Sequence, residues 1–240
     1  LTYVLVLYST FLTRSGVLGD ASVHSFVDPG MIVYLFLVLF IGTFTLLGFG
    51  MIVFRWKSLN ENINDVESII SRELALFTAM IVLIASAIIV LVGTSAPIFG
   101  KSVDTFFYNE MHLPLAIIIM FLNGISLLIK WQKSDLNELI KKSTYSAIGA
   151  VLFTILLVIF GGVSELMIII LTLTTAFSLF VNVDIAIKIV KGNFKMLGAY
   201  VAHIGIALFI LGVIGSAVYS EEVTVDLFKG KSVPAFGYDL

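Results

Sequence analysis

Long uncharged apolar runs decide what this chain can fold into. They cover residues 1–13, 31–54, 74–100, 113–129, 143–164, 166–183 and 196–220, with histidine counted as neutral. About 20 apolar residues cross roughly 30 Å of hydrocarbon as a helix. Only helices or closed barrels satisfy their backbone hydrogen bonds in lipid, and these runs lack the alternation and roughly ten-residue spacing of barrel strands. The expected fold is therefore an all-α polytopic membrane protein with about seven transmembrane helices, the first of them partial. Composition agrees: 59% of residues are hydrophobic and 12% charged, against about 25% charged in a soluble domain.

Loop charge gives the expected orientation. Strict alternation through the seven runs puts ten basic residues on one side (Arg55, Lys57, Arg72, Lys130, Lys133, Lys141, Lys142, Lys188, Lys191, Lys195) and four on the other (Arg14, Lys101, Lys229, Lys231). Cytoplasmic loops carry the excess of Lys and Arg, so the loop at 14–30, the 101–112 loop, the Gly161-Gly162 turn and the tail are expected outside. Residues 58–73, with Ile63, Val66, Ile69 and Ile70 at helical spacing, predict a short amphipathic helix on the cytoplasmic surface. After Ser220, Glu222 to Phe228 alternates like a strand and turns at Lys229-Gly230. Two domains follow as expectations: a helical bundle over 1–220, and the start of an extracytoplasmic β domain over 221–240 that this chain does not finish. Leu1 opens inside an apolar run without an initiator Met, so both ends are expected to be truncations.

Several function classes fall away. A net charge of −2 gives no field for nucleic acid or another polyanion. Without cysteine there is no disulfide framework and no thiolate site. Asp184 and Glu165 lie at the ends of runs and no acid lies within one, which argues against a proton- or sodium-coupled transporter. Phosphate loops, HExxH and Ser/His/Asp sets are absent from the sequence.

Three histidines remain. His203 lies seven residues into the last run, about 10 Å from its cytoplasmic end. Ionisable residues inside spans are functional candidates by default, and Ala199, Ala202 and Ala207 would let a flat macrocycle approach the backbone. The competing explanation is that Gly198, Ala202, Gly205, Gly212, Gly215 and Ser216 serve close helix packing, with the imidazole bonded to a neighbouring helix. His24 lies outside, just beyond a membrane interface. Neutral imidazole ligates haem iron well, and Arg14 at the membrane edge is suited to pair with a propionate. A solvated loop histidine and an interfacial arginine anchor are the plainer alternatives. His112, just before Leu113-Pro114, is expected to be an interfacial cap at the start of a helix.

The run Thr10-Phe11-Leu12-Thr13-Arg14-Ser15-Gly16-Val17-Leu18, followed by Ser22-Val23-His24-Ser25-Phe26 and Asp28-Pro29, resembles the CcmF/NrfE family of cytochrome c-type biogenesis proteins. Gly93-Thr94 with Pro97, Tyr108-Asn109 with Met111 and Pro114, and Tyr200-Val201-Ala202-His203-Ile204-Gly205-Ile206-Ala207 are similar to the same family in the same order. The resemblance implies that His24 is one of two external ligands of a delivered haem. It also implies that His203 is one of two intramembrane ligands of a resident b-type haem; Arg14 stays the candidate propionate contact on the residue argument above. The tryptophan-rich external segment of the family is absent: the two tryptophans are Trp56 and Trp131, both expected in the cytoplasm. That segment and the partner histidines precede the family region that this chain resembles, and His112 matches no family ligand.

The function implied is that of a haem lyase component in the cytoplasmic (inner) membrane. Such a protein receives haem b from a carrier, holds it at the outer face, and assists its attachment to apocytochrome c alongside other maturation subunits. A haem or small-molecule transporter and a b-type electron-transfer subunit stay open as alternatives.

Overall fold

A computed structural model of the chain describes residues 2–18, 26, 29–60, 68–101, 103–190, 192, 197–220, 223, 225–226, 229–230 and 232–239. The elements are α1 (Thr2–Arg14), α2 (Met31–Phe54), α3 (Trp56–Asn60), α4 (Arg72–Ser95) continued by a 3-10 turn (Ala96–Phe99), α5 (Thr105–Leu128), α6 (Leu136–Phe160), α7 (Leu166–Val190), α8 (Leu197–Tyr219), β1 (Pro234–Ala235) and β2 (Tyr238–Asp239). Among the described residues six helices are long and apolar enough to cross a membrane. Their lipid-facing character is plain on α2, where no residue is buried and Met31, Ile32, Phe36 and Phe54 expose most of their surface. The chain is a multi-pass, all-α membrane protein.

The ends of α5, α6 and α7 depart from the apolar runs for a consistent reason: polar residues cap or extend these helices past the hydrocarbon. Asp104 Oδ1 accepts from Phe107 N at 3.1 Å, so α5 starts well before residue 113 and His112 sits two turns inside it. Asp135 Oδ1 accepts from Glu138 N at 3.0 Å and opens α6 seven residues before position 143. α7 runs on to Val190 through an Asp184–Lys188 ion pair one turn apart, so Asp184 lies within the helix rather than at its end. Of the surface helix expected over 58–73, residues 58–60 fall in α3, residues 61–67 lie outside the described residues, and residues 68–71 are not helical, Ser71 capping α4 by accepting from Leu74 N at 3.3 Å. In the tail, most of the strand expected over 222–228 lies outside the described residues, and of the residues described there Val223, Val225 and Asp226 are not in a strand. The hairpin comes later, pairing Pro234 with Asp239 and Ala235 with Tyr238 around Phe236 (φ 51) and Gly237 (φ 79), the two left-handed residues that a tight hairpin turn requires.

The chain divides into two compact units. The first comprises Leu1–Ile119 and Ile129–Glu138. Here α1 packs on α2 through rings, with Tyr3 to Phe44 at 5.0 Å and Phe11 to Tyr34 at 5.7 Å between centroids. α1 meets α4 through the Tyr8 and Ser95 hydroxyls, 2.6 Å apart. A polar clasp joins the start of α4 to the segment after Ile129. Arg72 N donates to Lys130 O at 3.0 Å, Ser134 N to Ile70 O at 2.9 Å, and Gln132 N to both Glu73 carboxylate oxygens at 3.0 and 2.9 Å. Trp131 belongs to this clasp, under the Arg72 guanidinium.

The second unit comprises Met120–Leu128 and Leu139–Leu240. Its core is Ala150, Ala176, Phe177 and Val181, with Ile125, Phe153 and Phe180 against it. α7 is the most enclosed of the long helices. Threonines in these spans mostly turn their hydroxyls onto their own helix: Thr78 to Leu74 O, Thr154 to Ala150 O and Thr172 to Ile168 O, at 2.7 to 2.8 Å.

Candidate functional site

The sequence singles out two regions, one in each unit. In the first, α1 ends at Arg14, and the chain returns to it at Phe26, whose N–H donates to Thr13 O at 3.1 Å. The Arg14 guanidinium lies over the Phe26 ring, 4.7 Å from its centroid. A ring face holds a guanidinium by its plane and leaves the N–H edge free, and Arg14 is exposed, so that edge can receive an anion. Beside it Ser15 is buried. Together with Pro29, Gly30, Met31 and Tyr34 it lines a cleft of about 440 Å³. A second, apolar cavity of about 380 Å³ lies between α1 and α4, lined by Leu5, Tyr8, Leu12, Leu18, Val90 and Leu91 among others. His24 lies outside the described residues.

In the second unit, α7 and α8 form an antiparallel hairpin. His203 on α8 is half-buried, and its Nδ1 is inaccessible to solvent with no hydrogen-bond partner. α7 carries a buried polar stripe at helical spacing, Thr172, Thr175, Ser178 and Asn182, each with essentially no exposed surface. Asn182 Nδ2 donates to Ser178 O at 2.8 Å, while Asn182 Oδ1 and Thr175 Oγ1 are buried without partners. Sequence reading missed this stripe. The signal was faint: an asparagine inside an uncharged run, seven residues after a threonine.

His112 is not the interfacial cap expected. It lies within α5, half-buried, with Nδ1 2.9 Å from Tyr108 O. A carbonyl can only accept, so Nδ1 is the donor in this bond. Tyr108 itself presses on α4: a Cβ added at Gly93 would stand 2.5 Å from its hydroxyl. That contact explains the need for glycine in Gly93-Thr94.

Comparison with known proteins gives a consistent result. Over 98% of its length the chain is 29% identical to the cytochrome c-type biogenesis protein CcmF of Escherichia coli, spanning 38% of that protein. It is 30% identical to CcmF of Pseudomonas fluorescens, over 98% of the chain and 37% of the relative. It is 25% identical to CycK of Bradyrhizobium diazoefficiens, over the whole chain and 39% of the relative. The chain thus spans well under half the length of the curated relatives it matches. No family model matches it, and no solved structure matches it.

Proposed function

We propose that this chain, which corresponds to a part of the CcmF and CycK cytochrome c-type biogenesis proteins, works in cytochrome c maturation as part of a haem lyase. It would receive haem b from a carrier protein at the outer face of the cytoplasmic membrane and assist its covalent attachment to apocytochrome c, together with other maturation subunits. The observation that carries this reading is the buried, unpartnered Nδ1 of His203 on a membrane helix. A histidine in a span is costly, and a ligating imidazole needs its second nitrogen in a sheltered, polar setting.

The buried, unpartnered His203 nitrogen and the ring-stacked Arg14 support a haem as the group held. When bound, a resident haem supplies one-electron chemistry at a potential set by its axial ligands and their hydrogen bonds. His203 would hold such a group through Nε2. At the other region His24 would hold the delivered haem, and the free edge of Arg14 would take a propionate. The likeness in order and spacing from Thr10 to Pro29 supports these roles. Attachment requires the delivered macrocycle to be oriented with its vinyl groups toward the incoming thiols, and axial ligand and propionate contact are the levers available for that. The four-residue basic set, with Arg14 in loop 14–30 and Lys229 and Lys231 in the tail, supports an extracytoplasmic location for both segments.

The test is substitution in the full-length protein. His24→Ala is expected to abolish holocytochrome formation, read by haem staining of a reporter cytochrome c, while protein level and membrane-haem absorbance stay unchanged. His112→Ala is expected to mature the reporter normally. Normal yield from His24→Ala sinks the assignment, and a defect confined to His112→Ala moves the external ligand to that residue.

A further inference from the structure

The α7–α8 hairpin holds two buried polar atoms of complementary kind: an imidazole nitrogen on α8 and an amide oxygen on α7, both without partners. Their chemistry is fixed by their neighbours. Asn182 Nδ2 is committed to the Ser178 carbonyl, which can only accept, so the atom on the other side of the amide is Oδ1, an acceptor. Leaving a buried acceptor without a donor is costly, and a buried Nδ1 without a partner adds to that cost.

Register and face bring the two together. At the open end of the hairpin, away from the connection between Val190 and Leu197, Ile168 on α7 lines a small cavity with Ala217 and Val218 on α8. Both helices rise about 1.5 Å per residue and run in opposite directions. Fourteen residues along from Ile168 is Asn182, and fourteen residues back from Ala217 is His203. The two are therefore at the same depth. Fourteen residues is also nearly four whole turns, so Asn182 keeps the face of Ile168, and His203 keeps the face of Ala217. Ala207, one turn from His203, is fully buried, as is Thr175 midway between Ile168 and Asn182.

We propose that Asn182 is a positioning residue for His203: Asn182 Oδ1 accepts the hydrogen bond of His203 Nδ1–H, directly after side-chain rotation or through one buried water. This rests on the reading of His203 as a haem ligand only for its consequence. With the proton held on Nδ1, the Nε2 lone pair is the one presented to iron, and the strength of the acceptor sets the basicity of the ligand. A stronger acceptor gives the imidazole more imidazolate character, stabilises the ferric state and lowers the reduction potential; loss of the acceptor raises it.

The experiment uses the full-length protein in detergent with ring-¹⁵N histidine, the His203 signals being assigned by their loss in His203→Gln. Wild type is expected to show a single Nδ1–H tautomer in haem-free protein, and Asn182→Leu to show a mixed or Nε2–H form. In haem-loaded protein, Asn182→Leu should raise the potential of the membrane haem and Asn182→Asp should lower it. Opposite shifts from two substitutions at one site are not a packing effect, and the near-isosteric Asp variant keeps the test available where Leu prevents folding. A His203 ring signal indifferent to Asn182→Leu, or shifts of one sign from both variants, overturns the pairing. Persistence of the haem bands in His203→Ala, with a ring signal that still responds to Asn182→Leu, defeats the haem reading and leaves the pairing standing.

Discussion

Gly124 lies so close to Phe177 that a Cβ at position 124 would stand 3.0 Å from two ring carbons and from the Ser178 Cα. Backbone and a core ring cannot both yield. Gly124→Ala is therefore expected to destabilise the protein by about 1–3 kcal/mol through overpacking, even though alanine is the better helix former. Gly212→Ala on α8, where nothing lies within 4 Å, serves as the control and should be neutral or slightly stabilising. Thermal unfolding midpoints in the same detergent check both. Equal midpoints for the two variants would show that the α5–α7 approach is looser than described.

His203→Ala in the full-length protein should remove or destabilise the reduced b-type Soret and α bands. His203→Gly supplemented with imidazole should recover part of them, because the free base can enter the space left by the side chain. Bands indifferent to both substitutions would return His203 to a helix-packing role.

Arg14 is held by a ring face at 4.7 Å, so its contribution depends on a planar, delocalised cation. Arg14→Lys keeps the charge and loses both the stacking geometry and the two-pronged grip on a carboxylate. Holocytochrome yield is expected to fall in Arg14→Lys nearly as far as in Arg14→Ala, and less in Phe26→Leu. Full activity of Arg14→Lys would mean that the position needs only a positive charge.

Orientation can be read by labelling single cysteines. Lys101 and Lys133 are both exposed, and strict alternation places them on opposite sides of the membrane. Lys101→Cys should react with an impermeant maleimide in intact cells, and Lys133→Cys only after permeabilisation. The reverse pattern would invert the whole arrangement. Ser134 is a poorer probe, since it is buried and its hydroxyl accepts from Lys130 N at 2.7 Å.

The hydrocarbon portions of the helices were legible because burying a charge in lipid is prohibitive, so uncharged runs mark them directly. Their ends were not, because α5, α6 and α7 continue into the interface on caps and ion pairs involving Asp104, Asp135 and Asp184. The D-x-x-E pattern at Asp135 and Glu138 was there to be read as a helix start. Of the helical spacing read over 58–73, residues 61–67 lie outside the described residues, and Ser71, in extended backbone, caps α4. At the site, His203 announced itself as the one ionisable residue deep in a run. Asn182 and Thr175 did not, since their importance depends on which face of α7 is buried in the folded protein, a property of the packing rather than of the letters.

The back-bonded threonines bear on how the chain enters the bilayer in the first place. A helix emerging from the insertion machinery is sorted by the polarity it presents sideways, and Thr78, Thr154 and Thr172 each spend their hydroxyl on a carbonyl of the preceding turn. Those groups travel into lipid already satisfied, as part of their own helix, whatever neighbours have yet to arrive. Thr175 and the amide oxygen of Asn182 have no such internal outlet. α7 would thus enter lipid with an unmet polar face, so its insertion depends more than that of its neighbours on another helix arriving to shelter Thr175 and Asn182.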